Sequence, residues 1–311
     1  MSINSSIISP KSIVVIGASN ILTKPGGKLV KNLLDGQFSG PLYAVNPKED
    51  SVQGIQTFKS VNDLPEVDLA ILAIPPHPCK EAIKVLAKQK NTKGFIIISA
   101  GFSEGDDEGK RIETEIVAII NKANGCLIGP NCIGVLNANY RGVFTTPTPK
   151  MVKDGCDLIS SSGAMALFTM EAGIQNGLRF SNIFSVGNAA QTGVEDVLEY
   201  LDKTYIEGES ASTKLLYMET IRNPKKLLKH ASSLIAKGVK IAAIKAGSTE
   251  AGSRAASSHT GAIANSDMAV RALFRKSGIV YCSSREELIT VACIFYSKPL
   301  KGKKVAIITH A

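Results

Sequence analysis

Short apolar runs alternate with longer amphipathic stretches through the first half of the chain, which predicts parallel strands joined by helices. The expected strands read "SIVVIGA" (Ser12 to Ala18), "PLYAVNP" (Pro41 to Pro47), "VDLAILAIP" (Val67 to Pro75), "GFIIISAG" (Gly94 to Gly101) and "CLIGPN" (Cys126 to Asn131). Helices are expected from about Gly27, from about Cys79 to Lys90, and up to about Ala123. Such alternation is that of a Rossmann-like, doubly wound α/β domain. A polar, proline-containing stretch, "FTTPTPKMVKDG" (Phe144 to Gly155), then interrupts the pattern as a linker does.

A second α/β pattern follows, with strands at "CDLISSS" (Cys156 to Ser162), "RFSNIFSVGN" (Arg179 to Asn188), "KLLYMET" (Lys214 to Thr220), "VKIAAIKAG" (Val239 to Gly247) and "GIVYC" (Gly278 to Cys282). A flavodoxin-like sheet is the natural expectation. The closing "KGKKVAIITHA" reads as one more buried strand, the first of a third domain cut short. The expected domains are therefore 1–145, 146–300 and the start of a third at 301–311.

Composition narrows the classes. A chain of 311 residues, 44% hydrophobic and 20% charged, suits two folded domains. No apolar run approaches the roughly 18 residues of a membrane helix, and "MSINSSIISPK" lacks the pattern of a signal peptide. The expectation is a cytoplasmic protein with no membrane partner. The net charge of +9 invites a polyanion, yet there is no tryptophan and the Lys and Arg residues are dispersed, which argues against nucleic acid and for a small polyanionic ligand. Six cysteines sit singly, with no CxxC pair and no histidine at metal-ligand spacing, so reduced thiols and no metal are expected.

In open parallel sheets ligands bind beyond the carboxyl ends of the strands. In the second domain those ends carry Ser160, Ser161, Ser162 and Gly163, then Ser185, Gly187 and Asn188, then Glu219, then Lys245, Gly247 and Ser248. Immediately afterwards comes "AGSRAASSHTGAIA" (Ala251 to Ala264), a stretch of small residues around His259 with Arg254 as its other ionisable group. A neutral imidazole can take up and release a phosphoryl group. Glu219 could orient it, and the helix start at Ser162-Gly163 suits an anion. The plainer readings are an exposed loop histidine and serines that merely cap a helix.

In the first domain "GASNILTKPGGK" (Gly17 to Lys28) lies between strand and helix, where phosphate-cradling loops occur, without being a clean GxGxxG. A nicotinamide-binding domain would place an acidic residue at the end of the second strand. Asn46, Pro47 and Lys48 stand there, and Lys24, Lys28 and Lys48 suit a ligand with extra phosphates, or are ordinary surface lysines. "GFSEG" (Gly101 to Gly105) matches the GxSxG of serine hydrolases, but the polar, glycine-broken "EGDDEGKR" after Ser103 is not a nucleophile elbow.

"KSIVVIGASN", "YAVNPK", "IISAGFSE", "LIGPNCIGV", "SSSGA", "FSVGNAA", "LYMETIRN" and "SRAASSHTGAIA" together resemble, in order and over nearly the whole chain, the nucleoside-diphosphate-forming acyl-CoA synthetases, relatives of the succinyl-CoA synthetase α subunit. The resemblance implies interconversion of acyl-CoA, phosphate and ADP or GDP with a small carboxylic acid, CoA and ATP or GTP, through an acyl phosphate and a phosphohistidine. It places CoA at Gly17, Ala18, Ser19, Lys24, Asn46, Pro47, Lys48, Ile74, Pro75, Ser99, Ala100, Gly101 and Phe102. It makes His259 the phosphorylated residue, Glu219 its orienting carboxylate, and Ser161, Ser162 and Gly163 the phosphate grip. Mg-ATP or Mg-GTP would bind ATP-grasp domains that this chain lacks, on the same polypeptide or a β subunit, in an oligomer. The chain departs from the pattern in reading "SSSG" for "SQSG" and in having Ala189 and Ala190 where a charged residue often follows "VGN". The alternatives are a catalytically inactive CoA-binding sensor or scaffold and an NAD-binding protein.

Overall fold

The computed structural model describes residues 3–146, 148–247 and 267–297, with five single positions between 302 and 309. The first half contains α1 (Ser5–Ile8), β1 (Ile13–Ile16), α2 (Pro25–Asp35), β2 (Leu42–Val45), β3 (Ser51–Val52), β4 (Ile55–Phe58), β5 (Leu69–Leu72), α3 (Pro76–Gln89), β6 (Gly94–Ile97), α4 (Asp107–Lys122) and β7 (Cys126–Ile128). These strands form a seven-stranded sheet ordered β3-β4-β2-β1-β5-β6-β7. All neighbours are parallel except the β3/β4 pair. "IVVI" and "LAIL" are apolar at every position because helices cover both faces of a parallel sheet. Helix α4 shows how a covering helix is encoded. Its buried Gly109, Ile112, Ile116 and Ile120 recur at helical spacing, and the Asp106 side chain caps the Gly109 amide at 2.7 Å.

The second half contains β8 (Gly134–Leu136), β9 (Arg141–Val143), β10 (Cys156–Ser160), α5 (Gly163–Gln175), β11 (Phe180–Ser185), α6 (Val194–Lys203), β12 (Thr213–Met218), α7 (Pro224–Ala236), β13 (Lys240–Lys245), α8 (Asp267–Ser277), β14 (Val280–Tyr281) and α9 (Arg285–Tyr296). Its sheet is ordered β14-β13-β12-β10-β11-β8-β9, parallel from β14 to β11. The five strands expected here are present, each somewhat shorter than its apolar run. Deep between them Lys214 pairs with Asp157, both side chains 1% exposed, and Asn182 donates to the same carboxylate.

Four strands lie outside the expected pattern: the short pair β3 and β4 at the edge of the first sheet, and β8 and β9. The hairpin β8/β9 pairs antiparallel with β11 and so extends the second sheet, although it precedes the linker at 144–155. The expected boundary at 145 thus falls after strands that hydrogen-bond into the second sheet. "GVL" and "RGV" are too short to show a period. Their place is set by distant partners instead: Asn32 of α2 donates to the carbonyls of Val143 (2.6 Å) and Thr145 (2.9 Å), and the buried Tyr140 hydroxyl donates to Ile7 at 2.6 Å. One apolar cluster consequently runs through both halves, from Ile13, Leu29 and Ile71 to Ile159, Phe184 and Leu216. Most of the expected third-domain strand, 301–311, lies outside the described residues.

Candidate active site

The second sheet delivers its strand ends together because β11, β10, β12 and β13 are neighbours and parallel. At the end of β10, Ser160 is fully buried and serves the backbone: its hydroxyl donates to the Ser162 carbonyl (2.7 Å) and accepts from the Ser162 amide (3.1 Å). Ser185, equally buried, accepts from the Ile133 amide at 3.2 Å. These two serines shape the site without facing it. Ser161, Ser162 and Gly163 remain partly exposed at the start of α5, where Ser162 caps the Met165 amide at 3.3 Å. Helix-start amides and the helix dipole favour an anion there.

Glu219 lies one residue past β12, half-buried at the same edge. Its charge adds to the effect of burial in raising the pKa of the Tyr217 hydroxyl. Burial lowers the pKa of the Lys245 ammonium at the end of β13, opposed by the charges of Glu219 and Asp267. Carboxylate and ammonium thus stand close where the sheet meets the stretch 248–266. That stretch, with Ser248, Arg254 and His259, lies outside the described residues.

At the first sheet's carboxyl edge, the turns after β1, β2, β5 and β6 are stitched side by side. Gly17 donates to Val45, Ala73 to Ile16, and Ile98 to Leu72, at 3.1, 2.9 and 3.0 Å. Asn46 donates to the Ala18 carbonyl at 2.8 Å and accepts from the Lys48 amide at 2.8 Å. Gly17 has φ +84°, and a Cβ there would stand 2.6 Å from the Ala73 carbonyl, so only glycine lets the two turns touch. Lys24, Pro47, Lys48, Pro75, Ala100 and Gly101 are exposed along this edge, and Gly17, Asn46, Ile74 and Ser99 are half-buried. Ser19 is 9% exposed and caps the Ile21 amide at 3.0 Å. Ala18 and Phe102 are fully buried and build the turns from beneath.

The two edges meet. Gly187 has φ +54°, and a Cβ there would stand 2.1 Å from the Pro130 carbonyl, so the loop after β11 lies directly on the loop after β7. Asn188 donates through Nδ2 to Glu104, to Ser103 Oγ (3.2 Å) and to Glu113 (3.3 Å), while Asn131 donates to its Oδ1 at 3.3 Å. Ser103, the serine of "GFSEG", is thereby committed: its hydroxyl donates to Glu113 at 2.8 Å, and no histidine pairs with it among the described residues. Arg222 donates to the Ala189 carbonyl and to that of Asn188 (2.7 Å), and Glu195 accepts from the Arg222 amide at 2.7 Å.

Between these loops lies a cavity of about 370 Å³. Ser161, Ser162, Gly163, Gly187, Asn188 and Glu219 line it from the second sheet, and Ile98, Ser103, Glu104, Asn131, Cys132 and Ile133 from the loops of the first. Several of the latter belong to segments whose sequence carried the family resemblance, but no periodicity assigns a role to a residue in a loop. The residues expected to hold CoA occupy the outer turns of the same edge, with Gly101 hydrogen-bonded to cavity-lining Glu104 at 2.6 Å. The Ser161–Gly163 helix start, Glu219 and the loops after β6 and β7 therefore share one cleft, and the residues expected to hold CoA lie outside its lining.

Residues 11–138 match the family of CoA binding domains and residues 153–295 the succinyl-CoA-ligase-like flavodoxin domain. The α subunit of acetate–CoA ligase (ADP-forming) II from Pyrococcus furiosus is 39% identical over 97% of this chain and 65% of its own length. Acetate–CoA ligase (ADP-forming) I from Archaeoglobus fulgidus is 38% identical over 97% of this chain and 43% of its own. The dinucleotide-forming acetyl-coenzyme A synthetase 1 of Candidatus Korarchaeum cryptofilum, solved with phosphate and ADP, superposes with a TM-score of 0.88 at 30% identity, over 97% of this chain and 64% of that one. The chain spans less than two thirds of each of these relatives. Its two matched domains, their order and the likeness over nearly its whole length make it a member of the nucleoside-diphosphate-forming acyl-CoA synthetases.

Proposed function

We propose that this chain is the CoA- and phosphate-handling part of an acid–CoA ligase that forms ADP or GDP. The observation that carries the reading is the single cleft in which the Ser161–Gly163 helix start and Glu219 face the loops of the CoA-binding domain. In the acyl-CoA-consuming direction, phosphate held at the helix start attacks the acyl carbon. The carbon–oxygen bond of an acyl phosphate forms and CoA leaves as thiolate. The neutral imidazole of His259 then takes the phosphoryl group and releases the free acid as carboxylate, and phosphohistidine passes the group to ADP or GDP. Glu219 orients the imidazole, and the outer turns with Lys24 and Lys48 hold the phosphates of CoA. Nucleotide binding belongs to ATP-grasp domains on the same polypeptide or on a β subunit of an oligomer. We place the enzyme in the cytoplasm. Among the described residues no helix is long and apolar enough to cross a membrane.

Intact mass tests this directly. The chain is incubated at neutral pH with Mg-ATP and its nucleotide-binding part, beside His259→Ala. One added phosphate, lost in acid and absent from the variant, is expected. CoA binding without any phosphorylation would instead make the chain a CoA-binding scaffold, and binding of NAD in place of CoA would overturn both.

A further inference from the structure

The loop after β12, which carries Glu219, is tied down at its far end by two side chains that the chemistry above does not use. Glu195, in the first turn of α6, is 3% exposed. A buried carboxylate has to find donors within the protein. Its Oε1 takes two, the backbone amides of Arg222 (2.7 Å) and Asn223 (3.0 Å). The Arg222 side chain reaches the loop after β11, where its guanidinium donates to the carbonyls of Ala189 and Asn188 (2.7 Å). Those carbonyls belong to a turn in which Gly187 and Ala189 both have φ +54°, a left-handed backbone that a residue with a side chain adopts only when its surroundings impose it. The imposition comes from two sides. The amides of Asn188 and Ala190 donate to the Pro130 and Gly129 carbonyls at 3.0 and 3.1 Å, and Arg222 takes the carbonyls of Asn188 and Ala189. The Asn188 side chain goes on to Glu104, which accepts from the Gly101 amide at 2.6 Å. Contacts thus run unbroken from the Glu219 loop to the turn expected to hold CoA.

From this arrangement we propose that Arg222 is a positioning residue of the ligase: its guanidinium sets the Glu219 loop against the 187–189 turn, and through Asn188 and Glu104 it also fixes the CoA turn. The proposal rests on the ligase reading and goes beyond it, since it ties the carboxylate of the phosphoryl-transfer site and the CoA turn to one side chain. A planar fork of donors spans two adjacent carbonyls, whereas an ammonium is a point charge that meets them in no fixed geometry. Arg222 is also the only cation among the described residues that line the cavity, alongside Glu104, Glu195 and Glu219. It takes no part in making or breaking a bond and acts through the two loops it joins.

The test uses the chain assembled with its nucleotide-binding part. Wild type is first phosphorylated with Mg-ATP, then discharged in a single turnover by CoA with acetate, butanoate, succinate or benzoate, and the fastest acid is kept. The discharge rate constant and the dissociation constant of CoA are then compared for wild type, Arg222→Met, Arg222→Lys and, as a reference, Lys226→Met. Neither quantity depends on the folded fraction. Lys226 ties α7 to α6 through Asp196 (2.6 Å) and Glu199 (2.9 Å) and lies outside the cavity lining. Since a misplacement of about 1 Å can cost about 100-fold in rate, Arg222→Met should slow discharge at least about tenfold. It should also weaken CoA about fivefold, at the lower end of ordinary coupling between sites. Arg222→Lys, which restores the charge without the fork, should fall between, and it carries the test if Arg222→Met does not fold. Lys226→Met should melt earlier yet stay within about twofold of wild type in both quantities. Arg222 variants within about twofold of wild type, a loss confined to one of the two quantities, or equal losses in Lys226→Met overturn the assignment. A wild-type assembly that is not phosphorylated, does not bind CoA or is discharged by none of the acids overturns the ligase reading instead.

Discussion

Replacing Asn188 by alanine removes the one donor that Glu104, Ser103 and Glu113 share across the cleft. Among the described residues neither Glu104 nor Glu113 has an ion-pair partner; the Gly101 amide donates to Glu104 and Ser103 to Glu113 from the same half, and the Asn188 amide adds a donor to both from the opposite sheet. Hydrogen bonds to charged groups are worth about 1.5–3 kcal/mol when well formed. Here the Glu104 contact is short, those to Ser103 and Glu113 are 3.2 and 3.3 Å, and all are partly open to water. One strong and two weak bonds in a half-exposed setting amount to about 2 kcal/mol. Urea unfolding of Asn188→Ala, Glu104→Ala and the double variant isolates the pair. A coupling of about 1 kcal/mol is expected, since residues in one network couple by roughly 0.5–3 kcal/mol. CoA affinity should fall in both single variants, because Glu104 also fixes the Gly101 amide in the expected CoA turn. If the two losses simply add, within the roughly 0.3–0.5 kcal/mol typical of independent sites, Asn188 does not latch the halves and the account of the cleft is wrong.

Gly187→Ala should be worse than its size suggests. The left-handed backbone costs a side chain about 1–2 kcal/mol, and the new Cβ would meet the Pro130 carbonyl at 2.1 Å. A drop of at least about 3 kcal/mol in unfolding free energy is expected, and a loss under about 1 kcal/mol would show that the two loops do not bear on each other. Glu199 supplies a pH signature. Lys203 and then Lys226 hold its carboxyl at about 2, below the ordinary 4.5. A carboxylate whose pKa is depressed by folding stabilises the fold above its unfolded value, and that contribution is lost as pH falls through the interval from 4.5 toward 2. Thermal unfolding followed from pH 6 downward should therefore show a smaller acid loss for Glu199→Gln than for wild type, and parallel curves would remove Glu199 from the account.

Much of the architecture was legible along the chain because strand and helix periods are local properties. "IVVI" and "LAIL" are apolar without alternation because both faces of a parallel sheet are covered, and a sheet covered in this way leaves its carboxyl edges for the chemistry. Ser161, Ser162, Gly163 and Glu219 followed from reading where apolar runs stop, and the structure brings them to one cavity. A turn's sequence does not say which of its residues face inward, and Ala18 and Phe102 are the ones that the fold buries in theirs.

Tertiary structure alone decided the rest, because each remaining feature depends on a partner far along the chain. Ser103 looked like half of a nucleophile elbow until Glu113 and Asn188 were found to hold it, across 10 and 85 residues of sequence. The short strands β8 and β9 carry no period of their own and join the second sheet through β11. Ile98, Cys132, Ile133 and Phe144, to which no local pattern assigned a place in a site, line the same cavity as Ser161, Ser162 and Glu219. Sequence determined the elements and the edge at which the site had to form, since those follow from local hydrophobic period. Which side chains share the cleft, and which are spent in holding its loops together, was settled by packing between residues that no local pattern connects.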